Sequence, residues 1–269
     1  MSILEVENLN VWDGETGRSI VRGSNFRLQK GQCLAIVGES GSGKSMTCKS
    51  IMRLNRDPIR QSGRISLKGE DISRLTEPEM RKKRGKNLCM IVQNGMTAFD
   101  PTCVIGVHMR ETLHTHFGWN KTEVEETMKK TMESVMLQHP LDLMNKYPHQ
   151  LSGGMLQRVM IALALALMPD VIIADEPTTA LDAISQFEVM EQFMQLRERM
   201  GCSMLFVSHD LGVVKKIADE VIVMKDGEIV DQGSMGTVLA GGSHSYTQYL
   251  ISSRLALGNN FYSIMEGEA

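Results

Sequence analysis

Gly38-Glu39-Ser40-Gly41-Ser42-Gly43-Lys44-Ser45 matches the pattern G-x-x-x-x-G-K-[ST], and its flanks give it the setting that the pattern requires. Before it, Cys33-Leu34-Ala35-Ile36-Val37 is a short apolar run bounded by Gly31 and Gly38, which predicts a strand buried on both faces. A helix is expected from Lys44. In such a strand, loop and helix, the glycines let backbone N–H groups turn toward phosphate oxygens, and the helix N-terminus adds the positive end of its dipole. The cradle is expected to run from Gly38 through Glu39, Ser40, Gly41, Ser42 and Gly43 to Met46. Lys44 would reach the β and γ phosphates of a nucleoside triphosphate, and Ser45 would offer its hydroxyl to Mg²⁺. The competing reading, a Gly/Ser-rich turn that binds nothing, is set aside on the full match and its context.

A second motif supplies acid. Val171-Ile172-Ile173-Ala174-Asp175-Glu176 places two carboxylates at the end of an apolar strand, where ligands gather in open α/β sheets. Asp175 is expected to hold Mg²⁺ through water. Glu176 can accept a proton from, or orient, the water that attacks the γ-phosphate. Carboxylates also cap strand ends for purely local reasons, a reading that the upstream phosphate loop weakens.

Working outward, Leu4 to Val11 alternates apolar and polar residues, and Asp13-Gly14-Glu15-Thr16-Gly17 supplies a turn, so a small β region opens the chain. Further strands are expected at Leu88 to Val92, Val171 to Ala174 and Ser203 to Ser208. Val221 to Met224 and Glu228 to Val230 read as a closing hairpin around Lys225-Asp226-Gly227. Between them, Val107 to Met144 is polar, Met-rich and helical in pattern, and another helix follows Ser152 and stops at Pro169. The alternation of strands with helices predicts an α/β fold with a mostly parallel sheet and antiparallel strands at the N-terminal end.

Composition narrows the function. A formal charge of −3 and a pI near 6.2 give no electrostatic case for nucleic acid as a partner. The basic run Arg81-Lys82-Lys83-Arg84-Gly85-Lys86 reads as a solvated turn. Five cysteines without C-x-x-C spacing suit a reducing compartment. The opening residues show no secretory signal, and the longest apolar run, the ten residues Val159 to Met168, is half of the roughly 20 needed to span a bilayer. Most of the 21 methionines are expected to fill core space.

Leu151-Ser152-Gly153-Gly154-Met155-Leu156-Gln157-Arg158, ahead of a helix, resembles the L-S-G-G-Q signature of ABC transporter ATPase subunits, with Met155 at the fifth position. Ser152, Gly153 and Gly154 would present a hydroxyl and bare amides at a helix N-terminus; an ordinary helix start with a Ser cap is the bland alternative. The resemblance implies that this anion site serves the partner's ATP. It also implies that Gln93 is the glutamine that senses Mg²⁺ and γ-phosphate, that Asp182 in Thr179-Ala180-Leu181-Asp182 communicates across a dimer, and that His209 in Val207-Ser208-His209-Asp210 is the switch histidine. An imidazole at a strand end can bond the γ-phosphate. Trp12 stands where the family stacks an aromatic on adenine, although a Trp in a half-exposed strand could simply be packing.

This resemblance spans about residues 2–235. It implies a P-loop NTPase fold for residues 1–235, with a helical subdomain at about 95–165 and a C-terminal tail at 236–269, and it implies real ATP hydrolysis with Lys44, Gln93, Glu176 and His209 as catalytic residues. Gln93-Asn94-Gly95-Met96-Thr97-Ala98-Phe99-Asp100-Pro101 looks like the extended loop of the nickel, dipeptide and oligopeptide importer branch. Gly154 to Ala162 and Ser252-Ser253-Arg254-Leu255-Ala256-Leu257 look closest to its nickel subunits, and no cysteine follows Cys202 where many peptide-type members carry a cluster. The implied partners are a second, paralogous ATPase subunit bound head to tail, two membrane permeases and an extracytoplasmic substrate-binding protein. The implied place is the cytoplasmic side of the cell membrane, and the cargo is nickel or a related metal, with peptide import as the alternative. A soluble ABC ATPase acting on DNA or ribosomes would need a coiled coil or a second cassette, and neither is present.

Overall fold

The computed structural model describes residues 1–179 and 181–253. In chain order its elements are β1 (Ser2–Asp13), β2 (Ser19–Gln29), β3 (Cys33–Val37), α1 (Lys44–Ile51), β4 (Ile59–Leu67), β5 (Glu70–Asp71), α2 (Glu77–Lys83) and β6 (Leu88–Ile91). Then follow α3 (Ile105–Phe117), α4 (Lys121–Ser134), α5 (Pro140–Met144), α6 (Gly153–Leu167), β7 (Val171–Asp175) and α7 (Ala183–Met200). The last are β8 (Ser203–Val207), α8 (Leu211–Ile217), β9 (Glu220–Lys225), β10 (Glu228–Ser234) and α9 (Met235–Leu239). The chain divides into two units, residues 1–80 with those from 203 on, and residues 81–202.

The first unit contains an antiparallel sheet in the order β2-β1-β4-β5. The alternation expected over Leu4 to Val11 is real but changes phase: Leu4 and Val6 are buried, then Leu9 and Val11. The change occurs at Asn8, whose φ of 50° lies in the left-handed region, and the β1–β2 register shifts between Val6 and Leu9. An extra residue of this kind is a β-bulge, which bends the strand while keeping both apolar sets on the core side.

β3 is the centre of this unit's other strands. It runs parallel to β8 on one side and to β9 on the other, and β10 returns antiparallel to β9. Every residue of β3 and β8 is buried, as expected for strands covered on both faces. Lys225, expected in the hairpin turn, closes β9 instead. The turn is two residues, Asp226 (φ 48°) and Gly227 (φ 86°), the paired positive φ that lets a tight hairpin follow the strand twist. One face packs Ala35, Val37, Val221 and Val223 against Leu211, Val214, Met235, Val238, Tyr246 and Leu250. Burial of each Val or Leu there contributes about 1.5–3 kcal/mol. Residues 245–253 are helical; the expected resemblance at Arg254 to Leu257 lies outside the described residues.

In the second unit β6 and β7 are parallel partners, Leu88 opposite Val171 through Ile91 opposite Ala174. The helical stretch expected over Val107 to Met144 resolves into α3, α4 and α5. Helix α4 starts where Asn120 Oδ1 accepts the amides of Thr122 and Glu123 while the Glu123 carboxylate accepts the Asn120 amide, a capping box. Val124, Met128 and Met132 form its buried stripe at intervals of four. Helix α6 is buried over most of its surface and ends at Leu167, with Met168 as its cap before Pro169. Among the described residues, no helix is long and apolar enough to cross a membrane.

Candidate nucleotide site

In the first unit the loop of residues 38–43 connects β3 to α1. Three of its glycines hold positive φ, 152° at Gly38, 83° at Gly41 and 104° at Gly43, a backbone that residues with a Cβ rarely adopt. The β9–β10 hairpin packs on the loop from outside. The Gly227 amide donates to the Ser42 carbonyl at 3.1 Å, and a Cβ on Gly38 would run into the Met224 carbonyl. Lys44 is buried, and its ammonium donates to the carbonyls of Gly38 at 3.0 Å and Glu39 at 2.8 Å.

The loop fits a phosphate chain on three counts. Nothing stands within 4 Å of where a Gly41 Cβ would be. Ser42 Oγ is buried with no hydrogen-bond partner, an orphaned group of the kind that a ligand oxygen satisfies. Gly43 caps α1 without a side-chain bond, so the first-turn amides have no competing cap. Ser45, half-buried in the first turn of α1, carries the hydroxyl suited to Mg²⁺. Among the described residues no cluster of three His, Cys, Asp or Glu could hold a metal unaided.

Beside the loop is a cavity of about 470 Å³ lined by Asp13, Arg18, Ser19, Ile20, Arg22, Gly41 and Asp226. Trp12 is not in that lining although Asp13 is; successive side chains on a strand face opposite sides. Ile20, which the sequence does not single out, supplies the apolar wall. His209 follows β8, and the Ser208 amide donates to the Ile36 carbonyl at 3.3 Å. Because β3 and β8 are parallel neighbours, His209 and the phosphate loop leave the same edge of the sheet.

The second unit applies the same rule to β6 and β7, from whose carboxyl ends Gln93 and the acidic pair emerge. Asp175 is buried at the last position of β7. Glu176 stands at φ 46°. Its carboxylate accepts from the Thr179 hydroxyl at 3.0 Å and, through a long bond of 3.5 Å, from the Gln93 amide. Gln93 and Glu176 are thus brought together, with Thr179, absent from the candidate residues, as the second donor.

In the same unit, Ser152 Oγ accepts the Met155 amide at 3.2 Å as the cap of α6. Gly153 is exposed beside it, but Gly154 is buried, and a Cβ there would meet the Ser185 side chain at 3.1 Å. Packing of α6 on α7 therefore already requires Gly154 to be small. Arg158 forms an ion pair with Glu188 across the same helices. Asp182 caps α7, accepting the Ser185 amide at 3.0 Å and its hydroxyl at 2.8 Å. Those bonds, the amide first, hold its carboxyl below the usual carboxylate range. Buried Gln157 donates to the Val92 carbonyl at 3.5 Å, and a Cβ on Gly95 would meet Leu156 at 2.8 Å. The Gln93 loop thus rests directly on the signature helix, a contact between residues about sixty positions apart that no local pattern announces.

Residues 21–179 match the family model described as ABC transporter. The metal-staphylopine import system ATP-binding protein CntD of Staphylococcus aureus is 45% identical over 268 residues, covering 100% of this chain and 99% of that protein. The oligopeptide transport ATP-binding protein OppD of Bacillus subtilis is 42% identical over 255 residues, 93% of this chain and 71% of its own length. Among solved structures, a dimeric ATP-binding cassette in a post-hydrolysis state with ADP and Pi superposes with a TM-score of 0.76 at 26% identity, over 86% of this chain and 98% of that one. The cbiO1 component of an ABC transporter complex from Clostridium perfringens gives 0.73 at 25% identity, over 98% and 99%.

Proposed function

The chain belongs to the ABC transporter family as an ATP-binding subunit of an import system, and on that premise we propose that its ATP hydrolysis energises uptake of a transition metal such as nickel or cobalt bound to a small organic ligand. The observation that carries the cargo is similarity: the metal-staphylopine import protein is 45% identical over 268 residues, against 42% over 255 residues for the oligopeptide protein.

In this reading amides within residues 40–46 bind the phosphates, Lys44 neutralises the β and γ oxygens, and the cavity beside Gly41 takes the nucleoside. Ile20 is the apolar residue of its lining. Mg²⁺, held by Ser45, Gln93 and Asp175, would spread the charge that develops during transfer. Glu176 orients the attacking water and takes its proton, fixed by Thr179 and Gln93. His209 bonds the γ-phosphate. Ser152, Gly153, Gly154 and Asp182 serve the second ATPase subunit in a head-to-tail dimer. The complete importer adds two permeases and an extracytoplasmic binding protein and places this chain on the inner side of the membrane.

Uptake of radiolabelled nickel, given free and as a chelate, and of a radiolabelled dipeptide is compared in cells carrying the unmutated chain or Lys44→Ala. Selective loss of chelated nickel is expected. Loss of dipeptide uptake alone would move the cargo to peptides and contradict the proposal.

A further inference from the structure

The Glu39 amide does not face the interior of the phosphate loop. It donates at 3.0 Å to the hydroxyl of Tyr246, 207 positions away. The same peptide unit presents its other side to Lys44, because the Gly38 carbonyl accepts the Lys44 ammonium at 3.0 Å. In a trans peptide the N–H and C=O point in opposite directions within one rigid plane. The plane is therefore held from both sides, by Tyr246 on one and Lys44 on the other.

Tyr246 is itself well fixed. It is 6% exposed and belongs to the buried cluster that includes Ala35 and Val37 of β3 and Leu250. The Lys225 ammonium lies 5.0 Å from the ring centroid. The segment before it is anchored on Asp231, whose carboxylate accepts the amides of Ser243 at 2.7 Å and His244 at 3.2 Å, and the Ser243 hydroxyl at 3.2 Å. The Tyr246 amide in turn donates to His244 Nδ1 at 3.1 Å.

We propose that Tyr246 is a positioning residue for the phosphate loop, its hydroxyl setting the Gly38–Glu39 peptide so that Lys44 is poised for ATP, with Asp231 as the anchor of the segment that carries it. This rests on the reading of residues 38–46 as the ATP cradle. Residues 243–253 are thereby part of the nucleotide site rather than an appendage to it.

The test uses the purified full-length chain. Tyr246→Phe keeps the ring and its packing and removes only the hydroxyl. Loss of one hydrogen bond from the loop should weaken ATP affinity about 3- to 10-fold, with kcat changed less than about 2-fold, since no reacting atom is touched. Asp231→Ala should weaken affinity in the same direction, and the double variant should fall short of the product of the two, as for residues acting through one contact. A Tyr246→Phe variant with a lowered melting temperature and unaltered ATP affinity would overturn the proposal, as would fully multiplicative effects in the double variant. Lys44→Ala is measured alongside. Undiminished ATP binding and hydrolysis in that variant would overturn the nucleotide reading itself, which no result for Tyr246 does.

Discussion

Glu176 is the residue at which conformation and chemistry are most tightly joined. Its φ of 46° is a conformation that costs a non-glycine side chain about 1–3 kcal/mol, and it follows a strand whose five residues are all buried. The buried strand before it and the Thr179 bond hold the carboxylate at this turn. Gly38 shows the converse, a place where only hydrogen fits. Gly38→Ala should lower the unfolding free energy by about 1–3 kcal/mol, because the added methyl meets the Met224 carbonyl and Ser42 Oγ. Gly41→Ala faces open space and should cost about 1 kcal/mol, from its φ alone; urea unfolding of both variants measures the difference. Candidate residues such as Lys44, Ser45 and Asp175 are legible in sequence because the motifs that propose them lie in short fixed spacings. Tyr246 and Thr179 are not, since their roles depend on what the fold brings beside Glu39 and Glu176.

At the scale of elements, the fully buried strands Cys33–Val37, Val171–Asp175 and Ser203–Val207 show in the sequence as runs of four or five consecutive apolar residues. What those runs do not state is their order. That β3 lies between β8 and β9 depends on crossover connections that run through much of the chain, and the phase change at Asn8 depends on a bulge shared with Gly63, where a Cβ would come within 2.8 Å of Glu7 and Asn8 backbone atoms. Helix starts are more local. The box at Asn120 is set by residues three apart, and Asn120→Ala should lower unfolding free energy by about 1 kcal/mol while leaving ATP affinity unchanged, as read by urea titration and nucleotide binding on the same preparation. A matching fall in ATP affinity would mean that α4 supports the nucleotide site after all.

For the whole molecule, a near-neutral net charge and a core built from buried strands are compatible with many NTPases. The ordered series of motifs narrows that set, and the end-to-end relationship to an import ATPase narrows it further. In the proposed function the permeases handle the cargo and this subunit supplies force, so these residues do not select it. What these residues would govern directly is hydrolysis. The most direct measurement is phosphate release by the purified chain at high concentration, unmutated against Glu176→Gln, with ATP binding followed in parallel. The prediction is unchanged ATP affinity and a fall in phosphate release of about 100-fold or more; phosphate release at the unmutated rate would contradict it.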